Sequence, residues 1–145
     1  MNSADWVERL NAHRDDTLMD TLDIRYTDAG EEFLVAEMPV DSRHLQPMGI
    51  LHGGASAALA ESVGSAASAM VLADSNRAAV GLELAINHLG AVRAGAMVRA
   101  RAEAVHLGRS THLWQILLTD ADDRRIALAK LTLLILEGRE PPGSD

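Results

Sequence analysis

Between Gly53 and Ala73 the chain carries one charged side chain, Glu61, in a run made mostly of Ala, Gly and Ser. No other stretch limits the fold so strongly. Its length is close to that of a membrane-spanning helix. Yet Ala, Gly and Ser gain little from lipid, and a carboxylate near the middle would be costly there. The segment therefore reads as a helix of residues 52–73 buried in protein. It is apolar nearly all round, so it should be enclosed on several sides.

The flanking sequence says what encloses it. Residues 4–14 place Trp6, Val7 and Leu10 at helical spacing. Residues 22–28 alternate Leu22, Ile24 and Tyr26 with Asp23, Arg25 and Thr27, which is strand spacing. Ala29-Gly30 is a turn, and residues 32–39 return as a second strand. Residues 41–51, with Pro47 and Gly49, form a loop. After a break at Asp74-Ser75-Asn76 come four more strands, at 80–88, 95–107, 110–120 and 124–136, with a turn at Ala121-Asp122-Asp123. The tail from Glu137 to Asp145 is expected to fray. The order is helix, two strands, one long helix, four strands. Hairpin-length connections imply an antiparallel sheet. This is an α+β architecture, a curved sheet of about six strands wrapped around one helix. One helix covers only part of six strands, so a sheet face or edge is expected to need another subunit.

Composition removes several functions. The 145 residues suit one domain over 1–145. With 21 acidic and 13 basic residues the net charge is −8, unlike the basic footprint of a nucleic-acid binder. There is no cysteine, which excludes disulfides, thiol nucleophiles and Cys-based zinc sites. The polar N-terminus lacks the apolar core of a signal peptide, so a cytoplasmic location is expected and no membrane association. There is no G-x-S-x-G elbow, P-loop or G-x-G-x-x-G. His13, His44, His52, His88, His106 and His112 include no closely spaced ligand pair, and no metal is expected.

The segment from His44 to Ser65 can carry chemistry. Burial would raise the pKa of Glu61 toward neutrality, as a general base requires. Gly53 and Gly54 stand where the helix begins, with backbone N–H groups lacking intrahelical partners. That is an oxyanion-hole arrangement. Ser65 follows Glu61 by four residues on the same helical face. Gln46 and His52 add polar groups upstream. Each also has a plainer reading: a structural ion pair for Glu61, a tight junction for the glycines, packing for Ser65, loop support for Gln46 and His52. His52 and Glu61 are nine positions apart, about 13 Å along a helix and about half a turn out of phase. If both serve one reaction, the Glu comes from one subunit and the His and Gly groups from another, so the site requires a twofold dimer.

His52-Gly53-Gly54-Ala55-Ser56, leading into Ala60-Glu61-Ser62 and Gly64-Ser65, resembles the hotdog-fold acyl-CoA thioesterases. The nearest branch contains 1,4-dihydroxy-2-naphthoyl-CoA thioesterase, the enterobactin proofreading thioesterase and the phenylacetate-pathway thioesterase. Met38 to Arg43, Gln46-Pro47, Val80 to Glu83, Asn87-His88, His106 to Gly108 and Trp114 to Ile116 agree as well, so the likeness spans residues 20–137. The resemblance implies a hotdog fold, a dimer and usually a tetramer of two dimers. It implies hydrolysis of an acyl-CoA, with aromatic acyl groups such as hydroxybenzoyl, dihydroxynaphthoyl or phenylacetyl, to an acid and CoA. Acyl-carrier-protein thioesters are used by one branch. No cofactor is implied, because CoA belongs to the substrate.

By the same resemblance Glu61 is nucleophile or general base, and Gly53 supplies the oxyanion N–H. His52 and Gln46 polarise the carbonyl, and Ser65 holds the water or the carboxylate. Gly54, Gly81, the segment His88-Leu89-Gly90-Ala91 and the segment His106-Leu107-Gly108-Arg109-Ser110-Thr111 match regions that contact substrate or CoA. The chain departs in having Leu89-Gly90-Ala91 where relatives carry polar or basic residues, and Arg109 before Ser110. Arg93, Arg99, Arg101 and Arg109 are the cations considered for CoA phosphates, and Leu59, Ser62, Val63 and Met70 the candidates for the acyl pocket. A non-catalytic acyl-CoA-binding module and an enoyl-thioester hydratase are the alternative readings.

Overall fold

The computed structural model describes residues 1–138. Of the tail expected to fray, Glu137 instead closes the last strand, and residues 139–145 lie outside the described residues. Helix α1 (Ser3–Asn11) starts at a capping box in which the Asn2 side chain accepts from Asp5 N–H and Asp5 accepts from Asn2 N–H. It stops short of residue 14 because Arg14 is used elsewhere. Buried, Arg14 donates from Nε to Ile24 O at 2.6 Å and pairs with Asp23 at 3.2 Å.

A one-turn helix not anticipated from the sequence, α2 (Leu18–Thr21), follows. Leu22 is its C-cap residue and Asp23 sits at φ +53°, so β1 begins at Arg25 rather than residue 22. Asn11 grips this strand by donating to Tyr26 O and accepting from Tyr26 N–H. Then come β1 (Arg25–Ala29), β2 (Phe33–Pro39), a 3₁₀ turn at Ser42–His44 and α3 (Gly53–Val71). The remaining strands are β3 (Arg77–His88), β4 (Met97–Leu107), β5 (Thr111–Thr119) and β6 (Arg125–Glu137).

Every pairing is antiparallel, and the sheet order is β1-β2-β4-β5-β6-β3. Helix α3 lies across β2 to β6. Leu59, Ala60, Val63 and Ala67 pack against Leu34, Met38, Ala100, Trp114, Ile116, Leu118, Leu131 and Leu133. Burying such a Leu or Val contributes about 1.5–3 kcal/mol. Small residues set the helix-to-sheet distance: a Cβ on Gly64 would stand 2.7 Å from Leu131 Cδ2. This is the sheet-round-helix arrangement of the hotdog fold.

One expectation needs correction. Within one chain the sheet covers a single side of α3. Its other face runs through Gly54, Ala58, Ser62, Ser65 and Ala69 and stays exposed or half-buried. Small side chains carry so little hydrophobic contrast that the sequence could not show which side faces out. The 12-residue β3 is an edge strand, with Leu82 58% exposed. No helix among the described residues is long and apolar enough to cross a membrane.

Candidate active site

The loop before α3 is tightly closed. Gln46 N–H donates to Ile50 O and Gly49 N–H to Gln46 O, both at 2.9 Å. Gly49 sits at φ +77°, which glycine adopts without strain. The Gln46 side-chain oxygen accepts from Met48 N–H, leaving its amide NH₂ as a donor. Buried His44 bridges inward: Asp41 N–H donates to its Nδ1 at 3.1 Å, so Nε2 carries the proton and donates to Leu22 O at 2.8 Å. His52 N–H donates to His44 O at 2.8 Å.

His52 is the N-cap of α3, and its Nδ1 accepts from Gly54 N–H at 2.7 Å. The ring proton therefore sits on Nε2, on the exposed side of the imidazole. Gly54 N–H is thus committed. Gly53 N–H has no acceptor among the described residues. His88, the last residue of β3, packs over this point: a Cβ on Gly53 would lie 2.9 Å from His88 Nε2. A side chain at position 53 would have to push that exposed ring aside.

Glu61 sits about two turns further along α3, half-buried. Burial raises its pKa above the usual glutamate value. No cation pairs with it among the described residues. Its carboxylate rests against Gly81 of β3, where a Cβ would overlap Oε1 and lie 3.5 Å from Cδ. Ser65 stands one turn beyond, half-buried on the same helical face. Because α3 is one continuous helix, Gly53 and Glu61 are about 12 Å apart along its axis.

The two segments considered for CoA do not meet within one chain. His88 pairs with Ala127 and Thr111 with Leu134 on β6, seven residues apart, which is about 23 Å. Residues 88–91 lie beside the helix start. There Leu89 and Gly90 N–H donate to Ile126 O, and Arg124 Nη2 donates to Ala91 O at 2.6 Å. Residues 106–111 form the opposite end, with Gly108 N–H on Thr111 O and Arg109 3.5 Å from Glu137. Arg101 is engaged by Glu103 at 2.7 Å and stacks on Phe33 at 4.0 Å, on the sheet face away from α3. Two acyl-pocket candidates are corrected: Leu59 and Val63 are fully buried against the sheet. A third, Met70, lines a cavity at the far end of α3, beside α1 and the β1–β2 turn.

The sequence reading missed a buried polar chain. Trp114 Nε1 donates to Ser68 Oγ at 2.7 Å, and Ser68 in turn donates to His112 Nδ1 at 2.9 Å. Among the described residues no three His, Asp or Glu side chains gather to hold a metal.

Comparison with known proteins identifies the family. Residues 48–127 match the thioesterase superfamily. The proofreading thioesterase EntH of Cronobacter turicensis is 42% identical over 130 residues, covering 90% of this chain and 93% of that protein. The crystal structure of a mutant of thioesterase PA1618 from Pseudomonas aeruginosa is 46% identical with a TM-score of 0.86, covering 90% and 93% of the two chains. Thioesterase HI1161 from Haemophilus influenzae is 38% identical with a TM-score of 0.87, covering 94% of each. With a six-stranded antiparallel sheet laid around one long helix, and relatives of this identity over nearly its whole length, the chain belongs to the thioesterase superfamily and is a hotdog-fold thioester hydrolase.

Proposed function

We propose that the substrate is an acyl-CoA with an aromatic acyl group, and that the working unit is a homodimer, assembled into a tetramer. One observation carries the reading: Glu61 is a half-buried carboxylate with no paired cation among the described residues, on the same helix whose start presents Gly53 N–H and His52 Nε2–H about 12 Å away. A base and an oxyanion donor so far apart serve one carbonyl only across a twofold axis. The edge strand β3 offers a pairing surface for that copy, and it touches both parts of the site, Glu61 through Gly81 and Gly53 through His88.

The thioester carbonyl oxygen lodges against Gly53 N–H and His52 Nε2–H, with the Gln46 amide alongside. The partner's Glu61 approaches the carbonyl carbon from the opposite side. It either attacks to give a mixed anhydride that water then opens, or takes a proton from the attacking water, which Ser65 holds. The C–S bond breaks and the CoA thiolate recovers a proton, giving acid and free CoA. Residues 88–91 of one protomer and 106–111 of another line the CoA path. No cofactor enters.

The test is CoA release from aryl- and acyl-CoA esters and the matching acyl-carrier-protein esters, for wild type and Glu61→Ala. We expect aryl-CoA turnover to fall about 10²–10⁴-fold with the dimer intact by sedimentation. Binding without release by the wild type, or near-native turnover by the variant, contradicts the assignment. So does hydration of an enoyl-CoA in place of thiol release.

A further inference from the structure

We infer that the shallow pocket between α2 and the start of α3 receives the acyl group, and that Leu18 and Leu22 decide which acyl groups fit. This rests on the proposed thioesterase site. The pocket has a volume of about 290 Å³ and is bordered by His52 and Gly54, the residues on either side of the Gly53 oxyanion donor. A carbonyl held at Gly53 N–H therefore has this space as its neighbour. Its lining includes the small Ala55 and Ala58 and three leucines, Leu18, Leu22 and Leu45. An apolar lining with a few polar groups at the rim is the usual make-up of a small-molecule site, and the volume suits one ring system or a medium chain. Two larger cavities are out of reach: one beside Met70 and Val71, about 26 Å along α3 from Gly53, and one at Ser75–Arg77 and Glu137, beyond the end of α3.

The α2 side of the pocket is anchored to the loop that bears His52. Arg43 Nη1 donates to Thr21 O and His44 Nε2 to Leu22 O, each at 2.8 Å, so two side chains of the loop hold the end of α2. Leu18 is 59% exposed, so an acyl group in the pocket would cover it. At the rim, Arg43 is neutralised by Asp41 through Nε and Nη2, and retains one free N–H on each Nη. That favours an acyl group with a neutral hydroxyl at its far end over one ending in a carboxylate.

The experiment measures kcat/KM for acetyl-, hexanoyl-, benzoyl-, 4-hydroxybenzoyl- and naphthoyl-CoA in wild type, Leu18→Trp and Leu22→Trp. It also measures the affinity of each protein for a hydrolysis-inert 4-hydroxybenzoyl-CoA thioether and for CoA alone. A Trp at the exposed position 18 fills the pocket without burdening the core. We expect the aryl-to-acetyl ratio of kcat/KM to fall at least 10-fold, and the thioether to lose at least 10-fold in affinity while CoA alone is held as before. Ratios and thioether affinity within 2-fold of wild type in both variants overturn the assignment. A wild type that binds the thioether in a Leu18-dependent way but releases no CoA would sink the catalytic reading and leave the pocket standing.

Discussion

The contact between Gly81 and Glu61 supports a demanding prediction. Replacing Gly81 by Ala adds one methyl group to β3. Gly81 does not occupy a positive φ, so its backbone accepts alanine without strain. Loss of chain freedom in the unfolded state favours the variant by about 0.4–1 kcal/mol. The methyl would overlap Glu61 Oε1, the far end of a flexible side chain. To regain a C···O contact of about 3.3 Å the carboxylate must retreat by roughly 1 Å. Moving Glu61 to a poorer rotamer costs about 0.5–1.5 kcal/mol. The two effects nearly cancel, so the thermal midpoint should stay within a few degrees of wild type. Catalysis has no such compensation, because a misplacement of about 1 Å can cost on the order of 100-fold. We expect Gly81→Ala to lose about 10- to 100-fold in kcat for aryl-CoA, followed by coupling the released thiol to a chromogenic disulfide. A folded, dimeric variant with kcat within 3-fold of wild type would refute the claim that Gly81 fixes the position of the base. An unfolded variant would refute the claim that the carboxylate is what yields.

Further outcomes follow from the buried groups. Since burial raises the Glu61 pKa, the acid limb of kcat/KM should fall at a pH above the ordinary glutamate value, and it should vanish from the residual activity of Glu61→Gln. The same shift has a stability sign: the folded state keeps this proton to higher pH than the unfolded state, so stability declines as pH rises between the two values. Denaturant melts should show Glu61→Gln gaining on wild type across that interval, and a constant difference would contradict it. Ser68→Ala strands Trp114 Nε1–H and His112 Nδ1 in the core. The expected cost is about 1–3 kcal/mol, read as a midpoint lowered by about 3–10 °C, with activity at 25 °C retained.

The long helix was legible because nothing else explains residues 53–73: no proline, few β-branched residues, and no charge to bring it to the surface except Glu61. The strands were legible because each bounding turn carries polar or glycine punctuation, and their ends agree within about three residues. Two kinds of feature were hidden. Helix α2 is a single turn whose Leu22 continues an alternating pattern into β1, and only the left-handed Asp23 separates them. Contacts between distant elements, such as Gly81 on Glu61, His88 over Gly53 and Ser68 between Trp114 and His112, depend on how α3 crosses the sheet. A helix lined all round with small residues gives no phase, so its sequence offers Leu59 and Val63 to a pocket although they face the core.

The cap of α3 shows how little material this site uses. An imidazole is a rigid spacer with a nitrogen at each end. Anchoring one end to the main chain fixes the proton on the other and aims it outward. Asn or Ser at position 52 could terminate the helix as well, yet would offer nothing on the far side of the ring. In the proposed mechanism one residue thus joins where a secondary-structure element begins to where a reagent is received, and a drift in either would be felt at once in the other.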